Sequence, residues 1–127
     1  MITLPKLINT LLVRDLPGYT ISDELDTDTI DELPAIIFNA SGAGQTGNGD
    51  GLWFVNLDLT VLYKRGQTNP AGAVYDAVHA WPTGAITAFG WVAEVADISL
   101  FSPPSTPDVR GRQVRQNAGS FALSLRK

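Results

Sequence analysis

The glycine-rich segment at residues 42–47 has the spacing of a dinucleotide-binding loop. Its residues, Gly-Ala-Gly-Gln-Thr-Gly, match G-x-G-x-x-G and follow a predicted strand. Such a loop binds phosphate only when a helix follows it, because the amides and dipole of the helix N-terminus hold the anion. Residues 52–63 instead alternate with a period of two, which is typical of a strand, and Asn48 stands where a P-loop needs lysine. We therefore interpret the segment as the flexible tip of a hairpin.

An acidic segment contains the second candidate for chemistry, a cation site. Asp26 and Asp28 have the spacing that opens an EF-hand loop. Ile30 occupies the third ligand position and Asp31 occupies the position that requires glycine, so a calcium cage cannot close. Together with Glu32, these acids are interpreted as a solvated acidic loop, and no metal site is predicted.

His79 is the one histidine of the chain, so a two-histidine metal site is excluded and a catalytic triad would depend on it alone. It follows Asp76 by three residues on a predicted helix, and no serine lies in a nucleophile-elbow pattern. The absence of cysteine excludes thiol catalysis, thiolate metal sites and disulfides. We interpret His79 as a residue of the helix surface and expect no catalytic residue, no cofactor and no enzyme activity.

Hydrophobic spacing predicts two amphipathic helices. In the first, apolar residues recur at intervals of three and four before Pro17-Gly18 ends the helix. These residues are Leu4, Leu7, Ile8, Leu11 and Leu12. The second helix begins at Asn69-Pro70 and ends at Pro82. Its apolar face contains Val74, Ala77, Val78 and Trp81.

Alternating hydrophobicity predicts about four strands, in residues 33–40, 52–63, 91–101 and 118–127, with a further short strand at 19–21. Strands that neighbour in sequence, together with two amphipathic helices, favour an α+β domain. We expect one domain, residues 1–127, with both helices packed on one face of a mainly antiparallel sheet.

Two long irregular segments lie between the predicted strands. Residues 41–51 contain five glycines and are interpreted as a mobile connection. Residues 102–115 contain three prolines and three arginines and are interpreted as a long exposed loop.

The composition narrows the class of protein. The chain has 127 residues, of which 44% are hydrophobic and only 17% charged, and its net charge is −4. An acidic chain is a poor free-standing nucleic-acid binder, because phosphates require a basic face. No apolar run is long enough to span a membrane, and residues 1–15 lack the continuous apolar region of a signal peptide. We therefore expect an intracellular protein with no membrane contact.

The few charges are unevenly distributed along the chain. Residues 1–62 carry two basic and nine acidic residues, whereas residues 63–127 carry seven basic and four acidic residues. One explanation is an accident of solvated surfaces, another is arginines that face DNA in a ring lumen, and a third is head-to-tail association of copies. The candidate contacts with a neighbouring subunit or partner are Arg110, Arg112, Arg115, Asp26, Asp28, Asp31 and Glu32.

The whole chain resembles the tail terminators of long-tailed bacteriophages, which are small proteins that cap the tail tube. The resemblance rests on an N-terminal amphipathic helix, LPAIIFNASGAG with its glycine-rich tip, the strand LWFVNLDLTVLY, the helix NPAGAVYDAVHAWP, a further strand, the loop SPPSTPDVRGRQVR and the closing strand SFALSLRK. It implies a hexameric ring of α+β subunits that assembles in the host cytoplasm and becomes part of the virion at the junction of tail and neck.

The resemblance also implies partners. They are further copies of the chain, the tail tube protein, whose polymerisation the ring ends, and the head–tail connector; DNA would pass passively through the lumen. The family has no catalytic residues. Other phage neck components, such as head-completion or stopper proteins that contact DNA in the portal channel, have a similar size and layout and are the alternative. A small enzyme or ligand-binding domain built around the glycine-rich segment is the third hypothesis.

Overall fold

The computed structural model describes residues 4–23, 32–45, 52–64, 66–84, 86–87, 90–102 and 114–126. These residues form two helices and six strands. The helices are α1 (Leu4–Asp15) and α2 (Ala71–Gly84). The strands are β1 (Thr20–Ser22), β2 (Ala35–Gln45), β3 (Leu52–Lys64), β4 (Ile86–Thr87), β5 (Gly90–Ser99) and β6 (Val114–Arg126).

The six strands form one sheet in the order β1-β2-β3-β6-β5-β4. Strand β1 pairs with β2 in parallel, and all other pairs are antiparallel. The α+β class is therefore confirmed, but the sheet is mixed and has more strands than the four or so predicted. Strand β4 has two residues, too few for a period to be visible, and alternation cannot indicate that β1 pairs in parallel.

Both helices pack on the same face of the sheet, which we call the inner face. Alternate residues of β3 are fully buried there, as its period of two predicts. They are Val55, Leu57, Leu59 and Val61. The apolar stripes of both helices join Ile36, Phe121 and Leu123 in the same hydrophobic core. The predicted placement of the helices agrees with this core.

The boundaries of two elements differ from the expectation. Strand β2 continues through residues 41–45, which were predicted to be a mobile connection, because backbone groups pair with β3 whether or not a side chain is present. The pairing register shifts between Gly42 and Gly44. Helix α2 continues past Pro82 to Gly84. Residues 46–51 lie outside the described residues.

The last strand begins earlier than predicted, at Val114 instead of residue 118. The alternation is interrupted there because Asn117, a polar residue, occupies an inner position opposite Val61 and is buried. The predicted loop of residues 102–115 was therefore wrong at its end, where Val114 and Arg115 belong to β6. Residues 103–113 lie outside the described residues. In the described part of the chain, no helix is long and apolar enough to cross a membrane.

Candidate functional site

The sheet face opposite the helices, which we call the outer face, exposes a surface across four strands. The even-numbered residues of β3 and β6 point to this side, because their odd-numbered neighbours form the core. No helix or strand of the described residues packs over its central part, where Phe54, Asn56 and Asp58 are exposed. The side chain of Phe54 is 47% exposed, which is unusual for a large aromatic residue.

A trough of about 510 Å³ lies on this outer face. Its floor is formed by small residues, Ala122 and Ser124 of β6 and Ala96 of β5. The register places Ser124 between Phe54 and Glu94, so a larger side chain rises on each side of the small one. The volume lies within the range of ligand and peptide sites. We therefore treat the trough as the candidate site.

The trough combines hydrogen-bonding groups with one charge. Polar side chains are supplied by Ser41, Asn56 and Ser124. Of the described residues that line the trough, Glu94 is the charged one. One step further along β3, Asp58 adds a second carboxylate, which accepts a hydrogen bond of 2.7 Å from the Ser120 hydroxyl. The surface therefore suits an extended, positively charged segment, which would find hydrogen-bond partners along the floor and a carboxylate at the rim.

The contact residues predicted from the sequence do not form one site in the described structure. Arg115 lies on β6 opposite Tyr63 and is half-buried, so the prediction that it belongs to an exposed loop was wrong. Glu32 is exposed, and its backbone carbonyl accepts a 2.7 Å hydrogen bond from the Thr20 hydroxyl. The described side chains of Glu32 and Arg115 form no ion pair with each other. Asp26, Asp28, Asp31, Arg110 and Arg112 lie outside the described residues.

A polar cluster that the sequence did not reveal joins α2 to β5. The carboxylate of Asp97 accepts a hydrogen bond from the Tyr75 hydroxyl, with a distance of 2.8 Å between the oxygens, and lies 2.6 Å from Nε2 of His79. The rings of Tyr75 and His79 are 4.4 Å apart, and both lie about 6 Å from the ring of Phe121. His79 is therefore half-buried and bonded, not free on the helix surface as interpreted from the sequence.

Hydrogen bonding sets the electrostatics of this cluster. The bond from His79, followed by that from Tyr75, lowers the pKa of Asp97. The same bond to Asp97 raises the pKa of Tyr75, because losing its proton would place two negative charges side by side. The partner of His79 is thus Asp97 and not Asp76, the acid three residues before it. No pattern in the sequence links residues 79 and 97, since only the packing of α2 on the sheet brings them together.

The hydrogen bonds of the cluster link α2 to β5. A histidine with a carboxylate forms the base and orienting group of a triad, but a nucleophile must complete it. Within the described residues, no serine or threonine hydroxyl is hydrogen-bonded to His79. The described part of the chain also has no group of three or more histidine, aspartate or glutamate side chains that could hold a metal ion.

A second polar contact joins the two helices. The indole nitrogen of Trp81 on α2 donates a 2.8 Å hydrogen bond to Asp15 at the end of α1. Arg14 donates two further bonds to the same carboxylate, at 2.8 and 3.0 Å. The bond from Arg14 is the largest cause of the lowered pKa of Asp15. Both polar clusters lie on the helix side of the sheet and stabilise the packing that leaves the outer face open.

No protein-family model matches the chain, and no curated protein matches it as a relative. The function of the trough therefore has to be inferred from its own residues and from the layout of the fold.

Proposed function

We propose that the protein is a structural subunit of a bacteriophage tail, a tail terminator that caps the tail tube as a ring of copies. The observation that carries this proposal is the one-sided fold. Both helices cover one sheet face, and the other face exposes a trough across four strands. A subunit of a ring that lies between a tube and a connector needs broad contact surfaces and no catalytic centre.

The chemistry of the exposed face supports a contact role. The trough is lined mainly by small and uncharged residues, and Phe54 is exposed beside it. Ile98 and Leu100, near the end of β5, are 56% and 65% exposed. Exposed apolar side chains in a chain with so few charges are typical of surfaces that are covered in an assembly.

The order of the elements also supports the proposal. The helix, the hairpin of β2 and β3, the second helix and the closing pair of β5 and β6 follow one another in the order on which the resemblance to tail terminators rests. Under this proposal the partners are further copies in a hexameric ring, the tube protein and the head–tail connector, and the protein resides in the virion.

The alternative, a neck component that contacts DNA, requires basic side chains on the surface that faces the phosphates. Among the described residues that line the trough, the charged one is Glu94, which would repel DNA. The outer face therefore favours protein partners over a DNA-lining role.

The test is a tube-capping experiment. The purified protein would be mixed with assembling tube protein, and tube lengths would be measured by electron microscopy. We expect short tubes that end in a ring, and overlong tubes in a lysate of the phage from which the gene has been deleted. Tailless heads that lose DNA in that lysate would overturn the proposal in favour of a head-completion or stopper protein.

A matched pair of variants relates capping to the outer face. Ala96→Trp fills the trough, whereas Ala73→Trp adds the same bulk to an exposed position on α2. We expect Ala96→Trp to abolish capping and Ala73→Trp to preserve it.

A further inference from the structure

We infer that the trough binds the arginine-bearing segment, residues 103–113, of a second copy of the chain. This inference rests on the ring proposed above and identifies the contact between neighbouring subunits. It depends on where that segment leaves the sheet, how far it can reach and which charge it carries.

The described residues that flank the segment, Ser102 and Val114, lie towards one end of strand β6, and the trough lies towards the other end. The chain leaves the sheet at Ser102, whose amide donates a 2.9 Å hydrogen bond to the carbonyl of Ala118 and whose hydroxyl accepts a 3.1 Å bond from the Ala118 amide. The side-chain amide of Asn117 also donates to the Ser102 carbonyl. The chain returns at Val114, opposite Lys64. The trough, by contrast, lies beside Ala122 and Ser124.

The arginines of one copy cannot reach the Glu94 of the same copy. Glu94 is paired with Ser124, ten residues beyond Val114 along β6, which corresponds to about 33 Å of strand. Arg112 is two residues and Arg110 four residues from Val114, so their backbones reach at most about 7 and 14 Å from it. The remaining gap exceeds the length of an arginine side chain. A contact between these arginines and Glu94 must therefore come from another molecule.

The charges of the two regions are complementary. Residues 103–113 carry two arginines and a single acid, Asp108. The trough carries Glu94, and Asp58 lies one step further along the outer face. Opposite charges favour the encounter of such surfaces and set their register. The floor of alanine and serine leaves room for the chain between Phe54 and Glu94.

A segment that is attached to one end of the sheet and binds a trough near the other end of a second copy makes a head-to-tail contact. Such a contact uses two different surfaces of each molecule, so it repeats from copy to copy until the ring closes. It also leaves the helix layer out of this contact. The trough thus specifies which end of a subunit meets the next one.

Cysteine cross-linking tests this contact directly, because the chain has no cysteine of its own. One preparation would carry Ala96→Cys in the trough and the other Arg112→Cys in the segment. The two would be mixed, with and without tube protein, and oxidised. We expect a disulfide-linked dimer in the mixture and a ladder of multimers from a chain that carries both substitutions. Ala73→Cys on α2, paired with Arg112→Cys, is the matched control and should give no dimer.

Charge reversal gives an independent measurement. Glu94→Arg should reduce the cross-linked fraction about threefold or more, and a partner copy that combines Arg110→Glu with the cross-linking Arg112→Cys should restore it. Restoration requires that the two sites face each other, which a merely misfolded variant would not reproduce.

The outcomes separate this inference from the proposed function. Tubes that are capped normally, without any link between residues 96 and 112, would overturn the inference and leave the tail terminator in place. Disulfide links between residues 96 and 112 in a protein that does not cap tubes would support the contact between copies and overturn the tail-terminator proposal. A link within one chain would contradict the reach argument. The absence of any oligomer with or without tube protein would overturn both proposals.

Discussion

The two faces of the sheet are formed by the same strands but have opposite roles. Along β3, Val55, Leu57 and Leu59 are buried under the helices, whereas their immediate neighbours Asn56 and Asp58 are exposed on the outer face. Because side chains alternate with a period of two, those that stabilise the core lie on one face and those that can contact a partner lie on the other. The comparison teaches that the central part of the outer face can change its chemistry with little effect on the fold, whereas the end of that face where Ala35, Leu62 and Val114 are buried together also carries stability. The predictions that follow compare the buried and exposed positions.

The largest effect on the free energy of unfolding is expected from a substitution at the centre of the inner face. Leu57 has no exposed surface and lies between the strands that carry Ala40 and Phe121. Leu57→Ala removes buried apolar atoms and leaves a cavity, so we expect the free energy of unfolding to fall by about 2–5 kcal/mol. Chemical denaturation checks this value.

The matched control is the adjacent residue on the other face. Asn56→Ala should change the free energy of unfolding by less than about 0.5 kcal/mol, because its side chain is exposed. Equal losses for the two variants would show that the outer face also carries stability and would contradict the separation.

A smaller effect is expected at Gly119, where the inner face leaves little room for a side chain. A Cβ added there would lie 3.1 Å from the ring of Phe101, which packs against Phe121. The ring must move to accommodate the methyl group, so Gly119→Ala should lower the free energy of unfolding by about 1–2 kcal/mol. Ala118→Ser, on the exposed neighbour, is the control. An increase in stability for Gly119→Ala would mean that Phe101 is loosely packed.

The polar cluster between α2 and β5 should produce a pH dependence. Its hydrogen bonds hold the pKa of Asp97 below the ordinary value, so the folded state binds that proton less readily than the unfolded chain. The stabilisation is therefore complete above the ordinary aspartate pKa of about 3.9 and is lost as the pH falls through the lowered folded value. The free energy of unfolding, measured between neutral and acidic pH, should decline less steeply in Asp97→Asn than in the native chain.

Tyr75→Phe sharpens this measurement, since it removes one of the two hydrogen bonds to Asp97 and leaves the bond from His79. The decrease in its free energy of unfolding between neutral and acidic pH should lie between the decreases of the native chain and of Asp97→Asn. Identical pH profiles for all three proteins would show that the cluster contributes nothing to the packing of α2.

The sequence predicted the inner face well and the outer face poorly, for a physical reason. The spacing of leucines in α1 and the alternation in β3 report directly which side chains a core must bury. The trough depends on which strands are neighbours: Phe54, Ser124 and Glu94 adjoin only because β6 inserts between β3 and β5. The bond between His79 and Asp97 likewise depends on which elements pack together, so the sequence did not predict it. Backbone pairing also leaves no pattern in the sequence. For that reason the glycine-rich end of β2 was predicted to be a mobile connection, although it pairs with β3.

The smallest effect on stability, and the most informative one for function, is expected at Glu94. Its exposed carboxylate lies at the rim of the trough, so Glu94→Gln should leave the free energy of unfolding within about 0.5 kcal/mol of the native value. Self-association should nevertheless weaken a few-fold, because a single exposed ion pair contributes about 0.2–1 kcal/mol. Raising the salt concentration should weaken the native chain more than the variant, since salt screens the charge that the variant lacks. Light scattering in low and high salt, in parallel with denaturation, measures both quantities. A variant that associates normally and keeps the salt dependence of the native chain would remove Glu94 from the contact, and the outer face would then bind its partners through Phe54 and its small polar residues alone.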